Sequence, residues 1–370
     1  MPLNLLIFSR YTNSQASTRV RFSQFIPYLN KQGITVELFS LLSERSINKK
    51  HQFYKLFFFR LIDLFRTIKK LSNIKRDTQV HIYIELFPWL PYWLEFFLMN
   101  IFRLKSYSLE YDDAWFHRYD KHPNFIIRFV YKNKIAALMR HANFVIAGNL
   151  YIANYAKLSG AKSIKIIPTV VDLNHYPNRI KHFNNALKSK PIVVWIGTPS
   201  TVKYLQLVAP ALQALALKLP YTLRVIGGGK VSITGVDIEI LEWSEATEAA
   251  NLQASDVGIM PLLNSSWEQG KCAYKLIQYM ACGLPTVANA VGANNEVVLQ
   301  AETGYLVNTD NEWVDALVKL MTNQDLRYKF AAAGRKRVDE KYCVRVISPL
   351  LADLYLSNKP KNITKKGIVS

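Results

Sequence analysis

The chain has 370 residues, of which half are hydrophobic and a fifth are charged, and its net charge is +20. This length suits two domains, and the balance of residue types excludes wholesale disorder. Three scattered cysteines, Cys272, Cys282 and Cys343, exclude a disulfide framework and lack metal-ligand spacing, so we interpret them as free thiols in a reducing compartment.

The first half of the chain alternates short apolar runs with helical patterns. Its first nine residues lack the charged start of a signal peptide, so they are predicted to form a strand. The predicted strands are Leu3–Phe8, Ile34–Phe39, Val80–Ile84, Tyr107–Glu110, Phe144–Ala147 and Ile164–Ile167. Helical patterns lie between them, as at Thr18–Lys31 and Phe125–Arg140. This order predicts a parallel sheet with helices on both faces.

The second half repeats the same alternation. The predicted strands are Pro191–Ile196, Leu223–Ile226, Val236–Ile240, Val257–Met260, Thr286–Ala288 and Tyr305–Val307. A helix is predicted from Thr201 to Leu219, with a kink at Pro210. The longest uncharged run, Leu276 to Asn295, contains glycines, a proline and asparagines and does not predict a membrane span. We therefore expect a cytoplasmic protein, free or bound to the cytoplasmic face of a membrane.

A polar, asparagine-rich stretch separates the two halves. It predicts a domain of residues 1–172, a linker of residues 173–190 and a second domain of residues 191–340. Ligands of such doubly wound sheets bind at the carboxyl ends of the strands.

The clearest chemical signal is the segment Trp267–Pro285, in which a loop containing Gly270 leads into a helix. Gly270 would allow close backbone approach, and the N–H groups that open the helix favour a phosphate. Lys271 and Lys275 are four residues apart, so they would add positive charge at the same place. By spacing alone, two solvated lysines on a surface helix are the alternative.

This segment resembles the donor-site signature of family 4 (group 1) glycosyltransferases. The likeness rests on Gln278–Pro285 and extends, in order and spacing, to Trp195–Ser200, Leu223–Gly229, Asp256–Leu262, Val291–Glu296 and Thr303–Val307, with Pro168–Asp172 in the first half. It implies a retaining, nucleotide-sugar-dependent enzyme of the GT-B fold, with two Rossmann-like domains facing across a cleft. It also implies that the first domain binds the acceptor, the second binds the donor, and the chain end in residues 341–370 packs back on the first domain.

The resemblance implies donor-binding roles for individual residues. Lys203 matches a lysine that holds the pyrophosphate, whereas the accompanying arginine is replaced near Thr198. Gln278 stands where the family has a ribose-binding glutamate, and Gly270 stands where it has another, with Glu268 two residues earlier. The expected donor-binding residues are Gly197, Thr198, Ser200, Lys203, Gly228, Glu268, Gly270, Lys271, Lys275, Gln278 and Glu296.

Three carboxylates follow predicted strands of the first half. Asp112 and Asp113 occupy a place where the family often has a histidine, and Glu85 ends the preceding strand. One of them could orient the acceptor hydroxyl or take its proton, and ion pairs that stabilise the fold are the alternative. Arg19 and Arg21 could clamp an anion, with a solvated basic turn as the alternative.

Basic residues are concentrated in the first half, with 29 Lys and Arg against 11 Asp and Glu in residues 1–190. Residues 45–76 interleave ten of them with aromatic residues, and more aromatics follow up to residue 105. This pattern favours contact with an anionic membrane surface. A helix with aromatics in the core and solvated lysines, or nucleic acid with stacked bases, are the alternatives.

The sequence thus predicts transfer of a sugar from an NDP-sugar to a glycan or lipid-linked acceptor, in cell-surface glycan or polysaccharide synthesis. We expect no metal and no tightly bound cofactor, because lysines and helix N-termini would meet the donor charge. The alternatives are another GT-B enzyme, such as an NDP-sugar epimerase, and a non-catalytic nucleotide-sugar-binding protein.

Overall fold

A computed structural model describes residues 2–47, 53–177 and 190–359. The chain divides into two compact units, one formed by residues 1–167 with 347–370 and the other by residues 168–346. Most of the predicted linker, residues 178–189, lies outside the described residues. Its first residues belong to the second unit, where Leu173–His175 form a 3-10 helix.

The first unit contains a parallel sheet of six strands. They are β1 (Leu3–Ser9), β2 (Ile34–Ser40), β3 (Gln79–Tyr83), β4 (Ser108–Tyr111), β5 (Val145–Ala147) and β6 (Ile164–Ile166). The spatial order is β2-β1-β3-β4-β5-β6, and every neighbouring pair is parallel. The order reverses direction between β1 and β3, which makes this position the switch point of the sheet.

Helices connect these strands. They are α1 (Ala16–Arg21), α2 (Ile26–Lys31), α3 (Glu44–Ile47), α4 (Phe53–Ser72), α5 (Tyr92–Ile101), α6 (His117–Asp120), α7 (Phe125–Tyr131), α8 (Lys134–His141) and α9 (Leu150–Leu158). The predicted helix Thr18–Lys31 is broken by a 3-10 turn, after which Pro27 opens α2. The predicted helix Phe125–Arg140 is two helices, α7 and α8.

The second unit contains another parallel sheet of six strands. They are β7 (Ile192–Ile196), β8 (Thr222–Ile226), β9 (Asp237–Leu241), β10 (Val257–Met260), β11 (Thr286–Asn289) and β12 (Gly304–Val307). The spatial order β12-β11-β10-β7-β8-β9 is that of the Rossmann fold, with its switch point between β7 and β10. The two observed sheets confirm the predicted α/β class.

The helices of the second unit follow the same connections. They are α10 (Ala209–Lys218), α11 (Glu245–Gln253), α12 (Ser266–Gln269), α13 (Tyr274–Ala281), α14 (Asn294–Val297), α15 (Asp310–Thr322) and α16 (Gln324–Lys341), and α17 (Val344–Ser357) then leads into the first unit. Pro210 does not kink a long helix, because it stands in the first turn of α10 after a 3-10 segment, Val202–Val208. Trp195, Leu212, Leu223 and Trp313 belong to the apolar core.

The C-terminal helix contributes to the core of the first unit. The ring of Tyr355 on α17 meets the edge of His81 on β3 at 5.5 Å between centroids. His81 Nε2 lies 3.1 Å from Glu110 Oε2, and Arg21 pairs with the other oxygen of Glu110 at 2.5 Å. The predicted anion clamp therefore does not form at Arg21, because this buried guanidinium is held by the carboxylate of its own unit.

Candidate functional site

A tyrosine lies at the switch point of the second sheet. The hydroxyl of Tyr279 accepts from the Ile196 N–H at 3.0 Å and donates to the Ile259 carbonyl at 3.1 Å. It thereby bridges β7 and β10. Gly258 is required beneath the ring, since a Cβ there would lie 2.4 Å from the ring of Tyr279. The sequence analysis missed this bridge.

Glycines shape the turns after β7 and β8. A Cβ on Gly197 would lie 2.5 Å from the indole of Trp195, and a Cβ on Gly228 would lie 3.0 Å from the same ring. Gly227 has a φ of +74°, and a Cβ there would lie 2.6 Å from the carbonyl oxygen of Gly197. Both turns therefore pack on Trp195 and on each other, at the edge where ligands bind such sheets.

Polar side chains line the turn after β7. The hydroxyls of Thr198 and Ser200 lie 2.8 Å apart, and Thr201 accepts from the backbone N–H of Thr198 at 3.1 Å. Lys203 is exposed, and its ammonium lies 5.4 Å from the centre of the Tyr204 ring. The turn thus presents hydroxyls and one cation close to the glycine turns.

The loop after β10 is tied to this turn through Glu268. This buried carboxylate accepts from Tyr204 at 2.6 Å and from Ser265. Burial opposes its ionisation, but these hydrogen bonds and the charge of Lys271 outweigh burial and hold the pKa of Glu268 below its usual range. Gly270 follows with a φ of −77°, a conformation open to any residue, so the backbone angle does not demand glycine.

Lys275 lies directly on the ring that both glycine turns contact. Its ammonium is 4.3 Å from the centre of the Trp195 indole. Burial, followed by repulsion from Lys271, lowers the pKa of Lys275 to about 7. Ala273, just before α13, has a φ of +53°, a strained conformation for alanine that often marks functional sites. The structure thus brings Lys275 together with the turns of Gly197 and Gly228.

Gln278 belongs to a neighbouring hydrogen-bonded group. Its amide donates to Glu248 at 2.7 Å and to the hydroxyl of Tyr176 at 3.0 Å. Trp243 donates to the other oxygen of Glu248 at 2.5 Å, and its Cβ would lie 3.0 Å from a Cβ on Gly227. The amide of Gln278 therefore holds a carboxylate, Glu248, which sequence reasoning did not identify because it lies on a different helix.

Glu296 lies on α14, after β11. Gly292, with a φ of +51°, brings this turn against the preceding loop, since a Cβ there would lie 2.7 Å from the Gln269 carbonyl oxygen. The carbonyl of Glu296 accepts from Arg337 at 2.5 Å and from Tyr342 at 3.3 Å. The structure therefore places Glu296 in a turn that packs beside Glu268 and Gly270.

Glu85 in the first unit is held by ion pairs and hydrogen bonds. Its carboxylate pairs with Lys134 at 2.8 Å and with Arg10 at 3.5 Å, and it accepts from Tyr119 at 2.9 Å. Lys134 is fully buried and also pairs with Glu95 at 3.0 Å. These contacts favour the structural alternative for Glu85 over proton transfer.

Asp112 and Asp113 follow β4 and are both half-buried. Asp112 accepts from the hydroxyl of Tyr83 at 2.5 Å. Burial raises the pKa of Asp112, although Arg21 and Tyr83 act in the opposite direction. The carboxyl of Asp112, which directly follows β4, thus already binds one hydroxyl group, that of Tyr83.

Within residues 2–47, 53–177 and 190–359, no group of three or more His, Cys, Asp or Glu is placed to hold a metal ion. None of the helices in these same ranges combines the length and apolarity needed to cross a bilayer.

A family comparison matches the second unit. Residues 190–323 match the family described as "Glycosyl transferases group 1". N-acetyl-alpha-D-glucosaminyl L-malate synthase of Bacillus anthracis is 24% identical over 195 residues, which are 49% of this chain and 50% of that protein. Phosphatidyl-myo-inositol mannosyltransferase of Mycobacterium leprae is 30% identical over 113 residues, which are 30% and 29% of the two chains. The chain thus spans half or less of the length of these curated relatives.

Solved structures match nearly the whole chain. Sucrose-phosphate synthase from Thermosynechococcus elongatus has a TM-score of 0.69 at 16% identity, covering 96% of this chain and 98% of that one. HepE from Anabaena, solved with UDP and glucose, has a TM-score of 0.66 at 15% identity, covering 96% and 100%. At these identities the likeness concerns the fold, which is GT-B as the sequence predicts.

Proposed function

We propose that this chain, which carries a group 1 glycosyltransferase domain in residues 190–323 and has the GT-B fold, transfers a sugar from an NDP-sugar to an acceptor hydroxyl. The observation that carries the proposal is the position of Lys275 on Trp195, beside the turns of Gly197 and Gly228. A cation held by a ring at the ligand-binding edge of the sheet suits a diphosphate.

The donor diphosphate would be held at the carboxyl edge of the second sheet. Lys203, Lys271 and Lys275 would neutralise it, and they would stabilise the charge that develops as the nucleotide leaves. HepE, a neighbour in fold, was solved with UDP, which supports a uridine nucleotide as the first donor to test. The proposed site uses lysines without a metal ion, so chelation with EDTA should leave activity unchanged.

The ribose would lie beside Glu248 and Gln278. The family that this chain resembles has a ribose-binding glutamate at the position of Gln278. In this chain the amide of Gln278 donates to Glu248 at 2.7 Å. A carboxylate is thus present in the same group of side chains, supplied by α11 instead of α13. We propose that Glu248 accepts a hydrogen bond from a ribose hydroxyl while Gln278 and Trp243 orient it.

Transfer would retain the configuration of the donor sugar by a front-face route without an enzyme nucleophile. In this scheme Asp112 positions the acceptor hydroxyl and does not attack. The names of the curated relatives point to malate and phosphatidyl-myo-inositol as partners of those proteins, which supports a small anionic or a lipid-linked acceptor here. We place the reaction in cell-surface glycan or polysaccharide synthesis on the cytoplasmic side.

A product analysis tests this function against its two alternatives. The protein is incubated with a panel of UDP-, GDP- and ADP-sugars and with candidate acceptors, and products are identified by mass spectrometry and NMR. A glycoside whose anomeric configuration equals that of the donor supports the proposal, and an inverted linkage contradicts retention. Release of an epimerised free sugar would favour the epimerase, whereas donor binding without turnover would favour a non-catalytic protein.

A further inference from the structure

Helix α4 of the first unit exposes most of its aromatic and aliphatic side chains, whereas two of its polar residues are buried. Asp63 and Thr67 are each 3% exposed, although both are polar. In contrast, Phe57 and Phe65 are 59% and 68% exposed. The other exposed apolar side chains of α4 are Tyr54, Phe58, Leu61, Ile62 and Leu64. This arrangement is the reverse of an ordinary surface helix, and it rules out the alternative in which these aromatics form the core.

Hydrogen bonds attach the buried face of α4 to Ser43 and Ser46, which precede it in the chain. Asp63 accepts from the backbone N–H of Ser43 at 2.9 Å and from its hydroxyl at 3.2 Å. Ser46 also donates to Asp63, and Thr67 donates to the Asp63 carbonyl at 2.9 Å. The hydrogen bonds from Ser43 and Ser46, which lie outside α4, fix the rotation of the helix about its axis, so its exposed apolar face is directed outward.

Two further helices expose apolar side chains in the same way. Trp93 and Phe97 on α5 are 60% and 59% exposed, and Phe129 on α7 is 77% exposed. Trp89 connects these helices, since its carbonyl accepts from Tyr131 of α7 at 2.8 Å. The additional exposed apolar residues are Ile101 on α5, with Phe125 and Ile126 on α7. The exposed surface therefore extends beyond the residues 45–105 that the sequence singled out.

The topology places α4, α5 and α7 on one side of the sheet. From β2 onward every connection advances in the same direction across the sheet, through β3, β4 and β5. Crossovers between parallel strands are right-handed, so the helices of these connections lie on a common face. The connection from β1 to β2 runs the other way, which puts α1 and α2 on the opposite face.

The exposed charged residues of these three helices are all basic. Their acidic residues are Asp63 and Glu95, and both are buried. Their basic residues are Lys55, Arg60, Arg66, Lys69, Lys70 and Arg128, which are exposed or half-buried. Arg66 pairs with Asp63, and Lys70 pairs with Glu37 of β2. The outward faces of the three helices thus combine aromatic and aliphatic side chains with the cations Lys55, Arg60 and Lys69.

We propose that the outward faces of α4, α5 and α7 form a docking surface for an anionic lipid bilayer. Aromatic rings and aliphatic side chains would enter the interface, while the lysines and arginines would meet lipid phosphates. A second copy of the chain would bring like charges together, and nucleic acid would leave the aliphatic residues unburied. The surface belongs to the first unit, so its test does not depend on the donor-site proposal.

Vesicle flotation with the full-length protein tests the proposal. The protein is mixed with phosphatidylcholine vesicles, with and without phosphatidylglycerol, at low and high salt. We expect flotation with the anionic vesicles, weakened by salt because screening reduces attraction to the surface. Equal flotation with both kinds of vesicle, or none with either, would overturn the proposal.

Two sets of variants identify the surface that binds. The triple variant Phe57→Ser, Phe58→Ser and Phe65→Ser should lower vesicle affinity about tenfold or more without lowering the melting temperature, since these rings are already exposed. Leu217→Ser, a 91% exposed apolar position in the second unit, is the matched control and should bind as the wild type does. Unchanged binding by the triple variant, or a dimer in light scattering that the triple variant abolishes, would contradict membrane docking.

Discussion

Charged side chains at the carboxyl ends of the strands have different kinds of partner in the two sheets. In the first unit, Lys134 lies between Glu85 and Glu95, and Arg21 pairs with Glu110. In the second unit, the ammonium of Lys275 lies over an aromatic ring. The first edge therefore neutralises its charges internally, whereas the second keeps a cation whose ring contact leaves it open to an anion.

This difference separates residues that stabilise the fold from residues that can bind a ligand. A buried ion pair is costly to break because the remaining charge loses its partner. A lysine held on a ring can exchange part of its surroundings for a phosphate at small cost.

Replacing Lys134 should produce the largest loss of stability. Lys134→Met leaves Glu95 buried without a cation and leaves Glu85 with Arg10 alone, so we expect the free energy of unfolding to fall by about 3–5 kcal/mol. Urea unfolding followed by tryptophan fluorescence measures this change, with the exposed Lys218→Met as the control. A loss equal to that of the control would show that the ionic cluster does not stabilise the first unit.

Gln278→Glu should destabilise the second unit. The new carboxylate would face Glu248 in place of a donating amide at 2.7 Å, and we expect a cost of about 3 kcal/mol at pH 8. Repulsion raises the pKa of the new carboxyl in the folded state, so the cost should shrink as the pH falls and the carboxyl is protonated. Thermal unfolding at pH 8 and pH 5 checks this, and a cost that does not depend on pH would contradict the predicted contact.

Tyr279→Phe should have a smaller effect on stability. It removes the hydroxyl between β7 and β10 and leaves the buried N–H of Ile196 without its acceptor, at about 1–2 kcal/mol. Tyr305→Phe, in the edge strand β12, is the control for loss of a tyrosine hydroxyl. Equal melting temperatures for the two variants would argue against the bridge at the switch point.

The pH dependence of nucleotide binding should follow Lys275. Its pKa of about 7 lies below the usual range, so it is charged below pH 7 and neutral above. A diphosphate favours the charged form, hence binding above pH 7 requires proton uptake and affinity should fall by up to about tenfold per pH unit. Calorimetric titration with UDP from pH 6 to pH 9 measures this, and Lys275→Arg should remove the decline. A decline that persists in this variant would assign it to another group.

Much of the fold follows from local sequence. The alternation of apolar runs and helical patterns predicts strands such as Leu3–Phe8 within a residue of their observed ends, because buried parallel strands are nearly continuous apolar runs. Helix continuity was less predictable. Pro210 and Pro27 open helices instead of bending them, and this depends on turns that periodicity does not reveal.

The candidate site was predictable only where it lies in one segment. Lys271, Lys275 and Gln278 share a short stretch, so their region could be found from spacing and resemblance. Glu248 is brought to it by the fold, and no local pattern marks this residue. Trp195 belongs to the segment Trp195–Ser200 that carries the resemblance, but its contact with Lys275 depends on the fold. Glu85 shows the converse, since its place after a strand is correct but its partner Lys134 is distant in sequence and decides its role.

Calorimetric titration of UDP at pH 7 determines whether the carboxyl edge of the second sheet binds the donor. The comparison is between wild type, Lys275→Ala and Lys218→Ala, whose lysine is the last residue of α10, the helix that runs from the carboxyl end of β7 back to the start of β8. We predict that Lys275→Ala weakens binding about tenfold or more while Lys218→Ala binds as the wild type does. Equal affinity in all three proteins would contradict the assignment of the donor site to Lys275 and Trp195.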